Sequence, residues 1–293
     1  MTVLVTGATG FVGRHVVARL LEDGQRVRRL LRAPDGNGPA EGVEDVTRAA
    51  GVLGLEPADL AGVDAVLHLA AAGVSPKVAT ADELRASNVD GTAHLLELIA
   101  DAGTSRLVLL GTCAEYGRSA DAHTAIPPDA PLRPLSPYPR SKAEGFARAC
   151  DLVARHGLTA HYLRLFTAFG EGQTARALWP SLRTAALAGD DFPMTSGYQV
   201  RDFLPVEEAA RTIVATRTAS APAGRLLVRN LGSGTGTSVL DFALDWWGRF
   251  GARGRLLPGA IPDRSDEPLR YVAEVGTAWE APAHVSVHVP TGG

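Results

Sequence analysis

The sequence predicts an α/β fold, in which helices cover both faces of a doubly wound parallel sheet and a smaller lobe follows at the C-terminal end. Short apolar runs alternate with segments of helical periodicity through the first half of the chain. The run at 106–110 is apolar at nearly every position, which is typical of a parallel strand covered on both faces. Right-handed crossovers between such strands give a doubly wound sheet.

These patterns predict six strands and four helices. The second strand contains Arg28 and Arg29, which need polar partners if that strand lies inside a covered sheet. The predicted strands cover residues 2–5, 26–31, 65–69, 106–110, 161–166 and 225–230, and the predicted helices cover residues 12–22, 88–102, 141–156 and 206–216.

The rhythm of strands and helices changes after residue 166, because residues 171–200 are rich in turns and the tail carries several prolines. We therefore predict a nucleotide-binding domain at 1–166, with later contributions from about 201–235. Residues 167–293 are expected to form mainly a substrate-binding lobe over the carboxyl edge of the sheet.

Composition narrows the class of protein. A formal net charge of -3 gives no basic excess, so we expect no nucleic-acid partner. No run approaches the ~20 apolar residues of a membrane span, and no signal peptide is expected. The two cysteines fit a reducing cytoplasm. No cluster of cysteine, histidine and carboxylate residues predicts a metal site.

A glycine triplet stands between the first strand and the first helix, where residues 3–17 read VLVTGATGFVGRHVV. In this context one glycine permits a tight turn, one lets the backbone approach a pyrophosphate, and one lets the helix pack on the strand. The start of the helix adds free amide groups and a positive dipole end. The expected contacts of a dinucleotide with this Rossmann-type loop are Gly7, Thr9, Gly10, Phe11, Val12 and Gly13.

The TGxxGxxG spacing from Thr6 to Gly13 resembles that of the extended short-chain dehydrogenase/reductase superfamily, the NAD-dependent epimerase/dehydratase family. The resemblance implies that Leu69, Ala70, Ala71 and Asn88 border the cofactor. It also implies a homodimer, formed through helices at 87–102 and 141–156. The supporting segments are HLAA at 68–71, NVDGT at 88–92, LSPYPRSK at 135–142, RDF at 201–203 and NLGSG at 230–234.

The end of the second strand favours NADP over NAD, although NAD is also open. An acidic residue there would bind the ribose 2′-hydroxyl of NAD, but Leu31 occupies the position and no carboxylate comes before Asp35. The guanidinium of Arg32 is suited to a 2′-phosphate. The alternative is that these arginines are a solvated strand end.

Tyr138 and Lys142 form a YxxxK motif, which places both side chains on one helix face. A tyrosine with a reference pKa near ~10 needs a neighbouring cation to transfer protons at neutral pH, and we expect Lys142 to lower it. The resemblance implies that Tyr138 moves the proton, that Lys142 also binds the nicotinamide ribose, and that the hydroxyl of Thr112 binds the substrate oxygen.

Departures from the family pattern bear on the reaction. Sugar 4,6-dehydratases carry Asp-Glu after the catalytic threonine, whereas Cys113 and Ala114 stand here, so dehydration is not expected. Cys113 as an epimerisation base is a minor hypothesis beside a buried, unreactive thiol. Thr167 replaces the family's asparagine that contacts the substrate diphosphate, while Arg201 of the RDF segment remains as a phosphate contact.

The sequence thus predicts an NADP-dependent oxidoreductase or epimerase acting on a sugar carbonyl. The two forms considered are a nucleotide-4-keto-6-deoxysugar ketoreductase, which the cofactor prediction favours, and a sugar epimerase. One alternative is an NADPH-dependent reductase of a non-sugar aldehyde or ketone, which the absent asparagine at Thr167 keeps open. Another is a non-catalytic NADP-binding sensor, against which the retained Tyr138 and Lys142 argue.

Overall fold

The computed structural model describes residues 1–36, 38, 40–74, 79–104, 106–263 and 267–287. Those residues contain fourteen strands. They are β1 (Thr2–Thr6), β2 (Arg26–Leu31), β3 (Val43–Thr47), β4 (Ala65–His68), β5 (Leu107–Thr112), β6 (Thr159–Leu165), β7 (Thr167–Phe169), β8 (Phe192–Met194), β9 (Val200–Pro205), β10 (Arg225–Leu231), β11 (Gly236–Ser238), β12 (Leu256–Pro258), β13 (Arg270–Tyr271) and β14 (Trp279–Ala281).

Seven α-helices accompany these strands. A π-helical turn at Ala86–Asp90 joins the second helix to the third, and short 3₁₀ turns connect other elements. The helices are α1 (Phe11–Glu22), α2 (Ala81–Arg85), α3 (Gly91–Ala102), α4 (Pro137–His156), α5 (Leu178–Ala188), α6 (Val206–Thr216) and α7 (Val239–Arg249).

Eight strands form one large sheet in the order β14-β10-β6-β5-β4-β1-β2-β3. Every pairing within it is parallel except that of β10 with β14. This confirms the predicted fold class. The edge strand β14 was not expected, since the tail was assigned to the smaller lobe.

Both faces of the large sheet are covered, as the apolar strand runs predicted. In β1, Val3 and Val5 join the core beneath α1 and α6, whereas Leu4 joins the core beneath α3 and α4. Burying each such side chain contributes about 1.5–3 kcal/mol. Because the central strands are parallel, their carboxyl ends meet at one edge of the sheet, where the glycine loop and the other candidate residues lie.

Strand β3 was missed because it is an edge strand whose sequence, VEDVT, is mostly polar. It supplies the partners that the arginines of β2 require. Arg28 Nε donates to Glu44 at 2.9 Å, and Arg29 Nε donates to Asp45 at 2.7 Å. Strand β2 therefore carries both arginines in the sheet without an unpaired charge.

Two helices begin earlier than predicted. Helix α4 starts at Pro137 instead of 141, with a proline in its first turn, where the missing amide is tolerated. The helical segment predicted at 88–102 begins at Ala81, capped by the side chain of Thr80. The polar residues of α2 and the π-helical turn break the apolar periodicity on which the sequence prediction depended.

The smaller lobe contains two small sheets, with β9 pairing to β7, β11 and β13, and β8 pairing to β12. Helices α5 and α7 enclose an aromatic core in which Trp247 is buried, while Trp246 packs against it. The ring of Phe203 stacks on that of Phe242 at 3.8 Å between centroids. None of the described helices has both the length and the apolar content required to cross a membrane.

Candidate active site

The glycine loop is shaped as a dinucleotide site requires. Gly7 has φ +70°, and a Cβ there would lie 2.7 Å from the backbone nitrogen of Ala70. A Cβ on Gly13 would lie 2.0 Å from the Gly7 carbonyl oxygen. A side chain at Gly7 would clash with the backbone that follows β4, and one at Gly13 would push helix α1 away from the glycine loop. Only glycine permits this close packing.

The start of helix α1 offers its backbone amides outward. Gly10 is the N-cap, no side chain caps it, and no acidic residue stands in the first turn. Thr9 and Gly10 are exposed, while Phe11 and Val12 are partly exposed. Uncapped amides and the positive helix end fit a pyrophosphate. The loop residues therefore fit a dinucleotide, and their individual contacts remain predictions.

The segment after β4 lies against both the glycine loop and helix α4. Leu69, Ala70 and Ala71 are partly exposed there, as a cofactor border requires. The predicted contact residue Asn88 is buried, and its amide bonds the backbone of Ala72 and the Ser141 hydroxyl. Asn88 thus fixes the cofactor-side loop to helix α4.

Tyr138 and Lys142 lie on the first two turns of helix α4, as their spacing predicts. Lys142 is buried, and its Nζ donates to the carbonyl of Leu110 on β5 at 2.8 Å. A Cβ on Gly73 would come within 2.9 Å of the Tyr138 ring. The tyrosine therefore lies where the ends of β4 and β5 meet α4.

The electrostatics of Tyr138 differ from expectation. Burial raises the pKa of Tyr138, and Glu115 and Cys113 raise it further. The net direction is therefore opposite to the lowering of the Tyr138 pKa that the sequence predicted. Burial also lowers the pKa of Lys142, against the opposing effect of Glu115. The environment keeps the phenol protonated.

His68 completes a buried hydrogen-bond chain behind this site. Its Nδ1 lies 2.7 Å from Thr6 Oγ1 and its Nε2 lies 3.0 Å from Thr92 Oγ1. Thr92 donates onward to the carbonyl of Asn88. Burial, with a contribution from Lys142, lowers the pKa of His68 to about 3. A neutral imidazole with a proton on Nε2 satisfies every partner in the chain.

Thr112 ends β5, where its predicted role requires it to be. Its hydroxyl oxygen accepts from the amide of Ala114 at 3.3 Å, and its own amide donates to Glu115 Oε1 at 2.9 Å. Glu115 is fully buried and pairs with Arg164 at 2.8 Å. The backbone that presents Thr112 is thus held by a buried ion pair.

The two residues after Thr112 offer neither an acid nor a base. Burial raises the pKa of the Cys113 thiol to about 12, despite the opposing influence of Arg201. Ala114 has only a methyl group. A thiol with this pKa is protonated at neutral pH and is a poor base, but Cys113 is only partly buried, whereas a buried thiol was expected.

Thr167 and Arg201 both line a pocket of about 180 Å³ among β7, β9, α5 and α7. Its walls are mainly apolar, and four of the ten lining side chains are aromatic. Arg201 also contacts Glu267 at 3.3 Å and lies over the ring of Tyr271. The structure therefore brings these two predicted substrate contacts together. The aromatic residues of the pocket wall are Phe169, Trp179, Phe203 and Phe242.

The candidate cofactor-selecting residue Arg32 follows directly after β2, the strand next to β1, and it is exposed. Leu31 is buried and offers no acceptor. Two carboxylates lie near this end of β2, Asp35 in the sequence and Asp45 on the neighbouring strand β3. Both pair with Arg29 of β2.

Sequence reasoning missed the buried pair of Glu115 and Arg164, and it also missed His68 as part of a polar chain. The sequence did indicate that a buried pair exists. Arg164 interrupts the apolar strand β6, and a charge inside a covered strand requires a partner of opposite charge. Glu115 follows the end of the neighbouring strand β5, whose register places Thr112 opposite Leu165.

The model of the NAD dependent epimerase/dehydratase family matches residues 3–230 of this chain. A dTDP-glucose 4,6-dehydratase of Streptomyces griseus is 33% identical over 79% of the chain and 73% of the relative. A UDP-glucose 4-epimerase of Streptomyces lividans is 32% identical over 94% of the chain and 89% of the relative.

Solved structures resemble the whole architecture. MoeE5 in complex with UDP-glucuronic acid and NAD has a TM-score of 0.81 and 30% identity, covering 94% of this chain and 90% of that one. DesIV, a dTDP-glucose 4,6-dehydratase from Streptomyces venezuelae with NAD bound, has a TM-score of 0.80 and 28% identity, with 94% and 89% coverage. The chain therefore belongs to the NAD-dependent epimerase/dehydratase family, and it is an enzyme of the extended short-chain dehydrogenase/reductase type.

Proposed function

We propose that this enzyme is an NADP-dependent ketoreductase or epimerase of a sugar carbonyl, and that reduction of a nucleotide-4-keto-6-deoxysugar is its main reaction. The observation that carries the proposal is the placement of Tyr138 and Lys142, with Lys142 bound to the end of β5. The relatives named above act on, or bind, UDP- or dTDP-linked sugars. Those activities support the substrate class.

Dehydration is disfavoured although several relatives are dehydratases. Elimination of water needs an acid and a base beside the hydroxyl that holds the substrate oxygen. Here the two positions after Thr112 hold the protonated thiol of Cys113 and the methyl group of Ala114. Redox chemistry at the carbonyl needs neither group.

The mechanism assigns one task to each side chain. When bound, the nicotinamide supplies or accepts a hydride. Tyr138 donates its phenolic proton to the substrate oxygen in the reducing sense. The hydroxyl of Thr112 fixes that oxygen, and Lys142, held by its bond to the Leu110 carbonyl, would bind the nicotinamide ribose. Arg201 and Thr167 hold the remainder of the substrate.

Reduction, as opposed to epimerisation, is favoured by the cofactor prediction. A net reductase exchanges its cofactor, and NADPH is the usual reductant. The cofactor preference follows from Arg32 and from the engagement of Asp35 and Asp45 by Arg29. The neighbouring solved structures contain NAD, so the preference for NADP is a property proposed for this chain.

Changing Arg32→Leu tests the cofactor preference. We expect roughly tenfold weaker binding of NADPH and little change for NADH, because one exposed charge-assisted contact contributes on the order of 1.5 kcal/mol. Fluorescence titration of both cofactors measures it. Arg26→Leu, at the opposite end of the same strand, is the control. Equal weakening of both cofactors would refute selection by Arg32.

Incubation with NADPH and a panel of nucleotide-4-keto-6-deoxysugars tests the reaction. The expected result is loss of NADPH absorbance in step with formation of the sugar alcohol. An interconversion of sugar epimers with no net change in NADPH would instead identify the epimerase. No reaction with any sugar of the panel would remove the proposed substrate class.

A second candidate is a reductase of a non-sugar aldehyde or ketone. The aromatic lining of the pocket around Thr167 favours it, as does the contact of Arg201 with Glu267, which offsets the positive charge available to a diphosphate. NADPH oxidation with hydrophobic ketones but not with nucleotide sugars would establish this candidate in place of the first.

A further inference from the structure

The pair of Glu115 and Arg164 is unusual for its depth. Both side chains are fully buried, and Arg164 lies over the rings of Tyr116 and Phe146. Removing two such charges from water carries a penalty of several kcal/mol per ion, which mutual attraction offsets only with good geometry. Replacing such a pair by hydrophobic residues is often neutral or stabilising, so stability alone does not account for the charges.

The carboxylate of Glu115 connects strand β6 to the catalytic end of β5. Its Oε1 accepts from the Thr112 amide at 2.9 Å and from the Tyr162 hydroxyl at 2.8 Å, while Oε2 accepts from Arg164 Nε at 2.8 Å. Three donors therefore converge on one carboxylate, and the charge of this buried ion pair lies directly behind Thr112.

That charge acts on both members of the YxxxK pair in the same sense. It raises the pKa of Tyr138 and raises the pKa of Lys142, so it favours a protonated phenol beside an ammonium group. The other titratable or charged groups around this centre are Cys113 and Tyr116 after β5, Tyr162 and Arg164 on β6, His68 on β4, and Arg201 and Asp202 on β9.

We infer that Glu115 is a positioning residue that holds the Thr112 backbone in place and biases the active site towards carbonyl reduction. The inference rests on the proposed function. In reduction the carbonyl carbon gains a hydride from the reduced cofactor and the carbonyl oxygen gains the proton of Tyr138, which water then replaces. Oxidation of an alcohol, the first step of an epimerase, must instead begin from an ionised Tyr138.

The experiment is the pH profile of kcat/KM for ketone reduction in the wild type and in Glu115→Gln. Glutamine keeps an acceptor for the Thr112 amide but removes the charge. We expect the alkaline limb of the profile, where Tyr138 loses its proton, to move to lower pH by roughly one unit, a shift of the size that one nearby charge produces. Glu44→Gln, which breaks an exposed pair with Arg28, should leave the profile unchanged.

A second variant guards against loss of folding. Glu115→Gln alone leaves Arg164 buried without a counter-ion, whereas Glu115→Gln with Arg164→Met leaves no unpaired charge. Because loss of the Arg164 charge acts in the opposite sense, the double variant should show a smaller acid shift of the alkaline limb. A profile of folded Glu115→Gln that coincides with the wild type, even with a reduced kcat, would overturn the electrostatic role. If that variant does not fold, coincidence of the double variant with the wild type would overturn it. Absence of any carbonyl reduction by the wild type would instead refute the proposed function.

Discussion

Two regions around the candidate active site differ in composition and in how closely they follow the family pattern. We call the region at the end of β5 and the start of α4 the sheet-side wall, and the region of β7 and β9 the lobe-side wall. The sheet-side wall presents Thr112, Tyr138 and Lys142 over a buried polar network. The lobe-side wall, which carries Thr167 and Arg201, is mainly apolar and includes four aromatic side chains. The first wall keeps the groups that hydride chemistry needs, while the second departs from the pattern for holding a diphosphate. The reaction type is therefore better determined than the substrate.

The largest effect is expected at the sheet-side wall. Tyr138→Phe should lower kcat/KM for ketone reduction by roughly 10²–10⁴-fold, since that is the usual contribution of a positioned acid. Fluorescence titration should show unchanged cofactor affinity. The exposed Tyr198→Phe serves as the control. Turnover within a few-fold of wild type would show that another group supplies the proton.

The lobe-side wall is tested by Arg201→Met. If the substrate carries a diphosphate, KM should rise roughly 10–100-fold with kcat nearly unchanged, because a hydrogen bond to a charged group contributes about 1.5–3 kcal/mol. Steady-state kinetics with the nucleotide sugar measures it. Arg249→Met, on the exposed face of α7, should change nothing. An unchanged KM in R201M would favour the non-sugar carbonyl.

Much of the sheet-side wall could be predicted from the sequence, because its chemistry lies in short segments at the ends of apolar strands. Gly7, Tyr138 and Lys142 could all be placed from local patterns. The partners of Glu115 could not, since Arg164 approaches it from a neighbouring strand 49 residues away. The aromatic pocket was missed for the same reason, because β7, β9 and α7 meet only in the folded lobe.

A third test concerns the packing of helix α1 on the glycine loop. Gly13→Ala should destabilise the protein by about 1–3 kcal/mol and weaken cofactor binding, because its Cβ would lie 2.0 Å from the Gly7 carbonyl oxygen. Denaturant unfolding measures the first effect. Gly248→Ala on α7, where a Cβ meets no atom within 4 Å, should instead be neutral or stabilising. Equal stability of the two variants would contradict the close strand-helix approach.

A fourth test concerns the buried His68, whose effect on stability is small at neutral pH and grows only as the pH falls. The unfolded chain protonates this histidine below its ordinary pKa of 6.5, whereas the folded protein keeps it neutral down to about 3. The unfolded state thus binds more protons, so stability is lost as pH falls through this window, by about 1.4 kcal/mol per unit from this group. His68→Gln should lose that part of the slope of unfolding free energy against pH. The exposed His284→Gln should retain it, and equal slopes in all three proteins would contradict the buried neutral imidazole.

In the proposed reaction, Tyr138 protonates a substrate carbonyl during hydride transfer from NADPH. Its most direct test uses NADPH that carries deuterium at the transferable position, a nucleotide-4-keto-6-deoxysugar, and mass spectrometry of the product. We predict one deuterium in each sugar alcohol formed, one NADPH consumed per product, and negligible product from Tyr138→Phe. A product without deuterium, or one formed with no net loss of NADPH, would contradict reduction of the sugar carbonyl by NADPH.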